Sequence, residues 1–201
     1  MNIVLKILER TSLLVGATLV ALACFAWIDG VAHSRSAVAD FEQIRDLSIP
    51  TADQRHWSEQ RKADYERALS EEAGATLAIL RIDSAGIEVP VFDSTSKTAL
   101  NRGSGHVAGT ALPGTRGNMA IAGHRDGFFR GLKDIGVGTE IELATLYGQH
   151  RFRVSEILIV DPLDVSVLGP TDETMITLIT CYPFYFVGPA PERFIVRATL
   201  I

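Results

Sequence analysis

Beyond residue 75 the chain breaks into short apolar runs, rich in β-branched residues and separated by Gly, Pro and Asp clusters, which is how a strand-built domain is written. Residues 77–82 and 87–92 are two such runs, joined by the turn signal Asp83-Ser84-Ala85-Gly86. Further strands are expected at 119–122, 140–146, 150–160, 174–180 and 193–200. Only short helical pieces fit between them, at 96–101 and 128–133. This succession favours a mainly β domain, either sandwich-like or closed into a barrel that leaves no exposed edge.

The first 75 residues follow a different pattern. Positions 11–28 carry no charge, about the minimum length for a helix spanning a bilayer, and Trp27 stands where an interfacial aromatic belongs. Lys6 and Arg10 precede this stretch, and Arg35 and Arg45 follow it. The closeness of Arg10 and the N-terminal amine favours an N-terminus on the inside. Ala21-Leu22-Ala23 also fits a signal-peptidase site, and with Cys24 a lipoprotein signal. The apolar run continues to Ile28, however, so an uncleaved anchor is expected. Residues 53–73 read as a polar helix with Trp57, Tyr65, Ala68 and Leu69 on a loose stripe and Gly74 past its end, a spacer expected to pack lightly on the domain. The expected organisation is a membrane anchor over 1–31, a linker with a juxtamembrane helix over 32–75, and the β domain over 76–201.

Composition adjusts this picture in three ways. A hydrophobic content of 47% in 201 residues is enough to bury one core beside an appendage. The net charge of −5 argues against a nucleic-acid partner, which would want a basic face. The two cysteines, Cys24 in the apolar stretch and Cys181 in the domain, cannot plausibly pair within one chain. If the domain lies outside the cytoplasm, Cys181 is an unpaired thiol in an oxidising compartment: a liability, an intermolecular link or a nucleophile. No cofactor motif or metal-ligand cluster stands out, and none is expected.

The candidate chemistry sits at strand ends. The run 175–180 delivers Cys181 to its end, and Pro183 stops the strand. Arg193 opens the next run, and the stretch between them, with three prolines and a glycine, is loop. Met119-Ala120-Ile121-Ala122-Gly123 ends at His124, in a polar turn. A thiolate attacks; a histidine takes and returns the proton; an arginine holds substrate or favours a carbonyl oxygen that is becoming negative. Together they suit acyl transfer through a thioester. Taken singly, each residue also has a bland reading: a buried inert cysteine, a solvated histidine, a surface arginine, and in Arg125-Asp126 a local ion pair. His33 and His56 lie in the spacer and His150 in a strand-turn region, which leaves His106 as the one rival histidine.

Four stretches, in this order and spacing, resemble the sortases, membrane-anchored cysteine transpeptidases, and most of all their class D branch. They are the early Ile82 to Gly86-Ile87-Glu88-Val89-Pro90-Val91 hairpin, the Gly109 to Asn118 loop leading into Ala122-Gly123-His124-Arg125, the strand Thr177-Leu178-Ile179-Thr180-Cys181, and Arg193. The resemblance covers residues 77–200 and the anchor. It implies a closed β-barrel of about eight strands with short helices, preceded by the transmembrane helix and the polar spacer helix. It also implies catalysis by His124, Cys181 and Arg193 on an LPxTG-type sorting signal of a secreted protein, with an amine of a cell-wall precursor or a pilin as acceptor. The domain would then face outward from a single-pass anchor in the cell membrane. Leu178, Thr180 and Tyr182 are expected to shape the peptide groove by adjacency. Asp83 stands where many relatives carry proline, His106 lacks the family's histidine context, and Arg197 is expected to be structural. An L,D-transpeptidase is disfavoured because Tyr182-Pro183 follows the cysteine. A hydrolysing cysteine peptidase stays open, and a catalytically idle tethered domain is disfavoured because Cys181, His124 and Arg193 are all present.

Overall fold

The structure, a computed structural model, describes residues 52–185 and 188–201; the expected membrane span lies outside them. Among the described residues no helix is long and apolar enough to cross a membrane.

Helix α1 (Glu59–Ala68) starts at Ser58, whose Oγ accepts the Arg61 N–H at 3.2 Å, and carries Glu59 in its first turn and Arg67 in its last, as the helix dipole favours. It is shorter than the expected 53–73. Asp53 accepts from both the backbone N–H and the guanidinium of Arg55, and this local loop competes with helix until Ser58 supplies a cap. Nor is its packing light, because Trp57 and Ala68 are buried. Trp57 and Tyr65 meet Phe128 edge-on, with Trp57–Phe128 centroids 5.0 Å apart.

Eight strands follow: β1 (Thr76–Ile82), β2 (Ile87–Phe92), β3 (Ser104–His106), β4 (Asn118–Gly123), β5 (Glu140–Thr145), β6 (Gly148–Val160), β7 (Met175–Tyr182) and β8 (Glu192–Leu200). They close into a barrel in the order β1-β2-β3-β4-β7-β8-β6-β5, with β5 returning to β1. Pairing is antiparallel except for β2–β3 and β4–β7. The short helix α2 (Lys97–Arg102), capped by Ser96, and a 3-10 segment at Phe128–Asp134 match the two expected helical pieces. Strand β3 had no apolar signal to announce it. Its Gly105 is there for clearance, since a β-carbon would fall 2.1 Å from the Ser94 carbonyl oxygen.

Alternate residues of each strand fill the interior, as the two-residue period requires. Leu80, Ile82, Val89, Val91, Leu143 and Leu178 are fully buried there. The 3-10 segment lays Phe129 and Leu132 against the same core.

Candidate active site

Strand β7 runs between β4 and β8, and this order builds the site. In the antiparallel β7–β8 ladder Cys181 is paired directly with Arg193. In the parallel β4–β7 ladder Ala122 is paired with Ile179, and His124 follows the last residue of β4 at the end of the barrel where Cys181 lies, with Thr180 Oγ1 bonded to the Gly123 carbonyl. On β7, Ile176 and Leu178 face the core; on β4, Met119 and Ile121; on β8, Val196 and Ala198. By alternation Cys181 and Arg193 belong to the opposite, outer face. The backbone thus brings the three residues to one end of the barrel, at the ends of three neighbouring strands, and Cys181 is a half-buried free thiol on the central one.

Two threonines stitch this seam. Thr177 Oγ1 donates to Asn118 Oδ1 at 2.7 Å, and the Asn118 amide in turn donates to the carbonyls of Val167 and Gly169. Thr180 Oγ1 donates to the Gly123 carbonyl at 2.7 Å, tying the residue before the cysteine to the residue before the histidine. Such buried bonds contribute about 1 kcal/mol each, and leaving one partner unmet costs more. Gly123 is needed because a β-carbon there would lie 2.6 Å from the Phe129 ring.

Those contacts correct two expectations for the peptide groove. Leu178 faces the barrel interior with 0% exposure, so its side chain has no surface to offer a peptide. Thr180 is buried too, with its hydroxyl committed to Gly123. Tyr182 is half-buried against Phe184 and Phe194, in an aromatic cluster under the loop that follows Cys181. The rival His106 is buried in β3, its Nε2 2.9 Å from the Ala111 carbonyl oxygen and 3.1 Å from Thr110 Oγ1, and holds a turn together. Arg197 pairs with Glu156, four positions along β8 from Arg193. Among the described residues no group of three or more His, Cys, Asp or Glu is placed to hold a metal ion.

Arg125 and Asp126 do not form the local pair that their adjacency suggests. Arg125 reaches across to the cysteine loop, donating to the carbonyls of Pro183 at 2.9 Å and Gly188 at 3.1 Å. Asp126 instead accepts from Arg61 of α1 at 3.0 and 3.2 Å. Neither partner is legible in the sequence, where these residues lie 58 to 65 positions apart. The Arg193 guanidinium turns toward its own loop, donating to the carbonyls of Glu192 at 3.0 Å and Ala190 at 3.4 Å. A cleft of about 290 Å³ adjoins the His124 turn, lined by residues including Gly127, Phe128, Arg130 and Tyr185.

The imidazole of His124 is pushed down to about 4, first by burial and then by the Arg61 cation, while Asp126 and Asp64 pull the other way. The resting ring is therefore neutral at pH 7. An unfolded chain protonates the same ring near 6.5, so between these two values protons favour unfolding. The stability contributed by keeping this ring neutral is complete above pH 6.5 and is lost as pH falls toward 4. About 2 kcal/mol of it goes between pH 7 and pH 5. Urea unfolding of the wild type and of His124→Asn at both pH values measures this. The wild type is expected to lose about that much more than the variant, and equal losses would contradict the burial account.

Fold and site together define a thiol acyl-transfer enzyme on a closed β-barrel. The sortase domain family matches residues 80–201, more than half of the chain. Sortase D of Bacillus subtilis is 32% identical over 136 residues, covering 67% of this chain and 69% of the relative. Sortase A of Listeria monocytogenes is 29% identical over 153 residues, covering 74% and 63%. A solved Sortase D5 transpeptidase of Clostridium perfringens superposes with a TM-score of 0.59 at 30% identity, over 74% of this chain and 92% of that one. Sortase C1 of Streptococcus agalactiae, at 20% identity and a TM-score of 0.60, shares the fold over 71% of this chain and 87% of its own. The chain belongs to the sortase family and is a sortase-type cysteine transpeptidase.

Proposed function

We propose that Cys181 is the nucleophile, His124 the acid and base, and Arg193 the substrate and oxyanion cation of a transpeptidation on an LPxTG-type sorting signal. The observation that supports this is the meeting of three neighbouring strand ends: Cys181 pairs with Arg193 across β7–β8, and Thr180, next to the thiol, is bonded to Gly123, next to His124. His124 takes the thiol proton as sulfur attacks the carbonyl carbon of the signal's threonine. Arg193 faces the oxygen that becomes negative in that step. The tetrahedral adduct collapses, the bond from that carbon to the next residue's nitrogen breaks, and His124 protonates the departing amine. An imidazole held at a low pKa is a ready acid at this point. An incoming amine then attacks the thioester and gives up a proton to His124. The sulfur leaves, and a new amide bond remains.

Half-buried Tyr182, next to the thiol on β7 and on the face of Leu178, packs against Phe184 and Phe194 and acts on the peptide groove by supporting the loop after Cys181. The acceptor is an amine of a cell-wall precursor or a pilin. Residues 11–28 anchor the chain in the cell membrane as a single pass, with the barrel on the extracytoplasmic side. The chemistry of the three residues supports these readings, together with the charge-free length of that stretch. The test is to mix the full chain with LPxTG-type peptides and resolve the products by mass spectrometry. An acyl adduct on Cys181 that passes to an added amine is expected. Release of free acid alone in the presence of the amine would make the enzyme a hydrolase, and no adduct on Cys181 would overturn the proposal.

A further inference from the structure

Helix α1 reaches the turn that carries His124 through one side chain. Arg61 is 12% exposed although it sits on a polar helix, and its guanidinium makes three directed bonds. Nη1 donates to Asn101 Oδ1 at 2.8 Å, and Nε and Nη2 both donate to Asp126 Oδ1. Asn101 is buried at the end of α2, and Asp126 lies two residues past His124. Arg61 therefore ties three elements at one point. A β-carbon placed on Gly127 would lie 3.6 Å from Arg61 Cδ and 3.7 Å from His124 Cβ, so arginine and histidine border the same glycine. The Trp57–Tyr65–Phe128 cluster fastens the helix to the chain next to this turn.

From this geometry we infer that Arg61 is a positioning residue for His124, and that the segment before the barrel is part of the catalytic apparatus, more than a tether. The inference rests on the reading of His124 as the acid and base. Mechanically, the Arg61 fork fixes Asp126 and with it the turn from His124 to Gly127. Electrostatically, a cation against the imidazole disfavours its protonated form, so the ring rests neutral and, once protonated, gives its proton up readily to the departing amine. The charged groups acting on the ring from α1 are Arg61 and Asp64, and from its own turn Asp126. Arg125 directs its guanidinium to the carbonyls of Pro183 and Gly188, while Cys181 and Arg193 share the ring's end of the barrel on β7 and β8. Removing Arg61 leaves the two carboxylates unopposed on this side, so the imidazole should become easier to protonate.

The experiment is an NMR titration of the His124 ring in the full chain, assigned by its loss in His124→Asn, beside the pH profile of kcat/KM for peptide cleavage. Arg61→Gln keeps donors for Asp126 but no charge. It is expected to move the His124 midpoint from about 4 toward 6.5, and to raise the ratio of kcat/KM at pH 7 to that at pH 5 by at least about twofold. Arg61→Lys, which keeps the cation, is expected to hold the midpoint low. A purely structural role for Arg61 would lower the rate evenly across pH and leave the midpoint where it was; that result overturns the inference. Should Arg61→Gln fail to fold, Arg61→Met, which keeps the packing of the stem without the charge, takes its place, and an unmoved midpoint is again the overturning result. A chain that forms no adduct on Cys181 sinks the catalytic reading itself. A chain that forms the adduct while its His124 midpoint ignores residue 61 sinks only this inference.

Discussion

Replacing Cys181 by alanine is expected to lower peptide cleavage by at least about 10⁴-fold, because no other group at the site can carry the acyl chain. The fold should hardly respond. The thiol is half-buried and on the outer face, outside the packed interior, and trading it for a methyl group removes little apolar burial. Urea unfolding should therefore place the variant within about 1 kcal/mol of the wild type. Cleavage assays and melts on one preparation separate the two effects. A variant that keeps more than about 1% of the rate would remove Cys181 from the mechanism, and one that unfolds would move its role into packing.

Arg193→Ala is expected to lower kcat/KM by about 10² to 10³, the usual loss when one donor to a developing oxyanion is removed. The side chain is paired across the ladder from the thiol, and its guanidinium rests on the carbonyls of its own loop. These are neutral partners that a substrate oxygen bearing negative charge can outcompete. Arg193→Lys should recover only a small part of the loss, since a point charge does not reproduce a planar fork. Rates within a few-fold of wild type for the alanine variant would show that the guanidinium serves the loop and leaves the reaction to others.

Much of the barrel was legible because its strands are short, β-branched and separated by strong turn signals. Where the sequence misled, the cause was long-range. Strand β3 is three polar or small residues, and it is a strand only because β2 and β4 flank it. The run from Met175 to Ile179 is apolar at nearly every position, so its period does not tell which residues face the core. That is why Leu178 could be taken for a groove residue while it is sealed in the interior. For the site itself, strand ends marked the three residues, but neither the parallel β4–β7 pairing nor the common face of Cys181 and Arg193 could be read from composition. The work of Arg61 and Arg125 was invisible because each acts on partners 40 to 65 positions away.

The parallel run of β4 and β7 has a consequence for how the two halves of the site are joined. Cys181 and Arg193 are the feet of one hairpin, whereas closing Gly123 onto Thr180 spans 57 residues and requires the β5–β6 hairpin to be carried across first. Loop-closure entropy makes the second connection dearer than the first by about 1.4 kcal/mol. Insertions or deletions in the stretch from β5 to β6, far from the sulfur, therefore change the length of chain that closes the sulfur onto the imidazole, while the hairpin that closes it onto the guanidinium keeps its length.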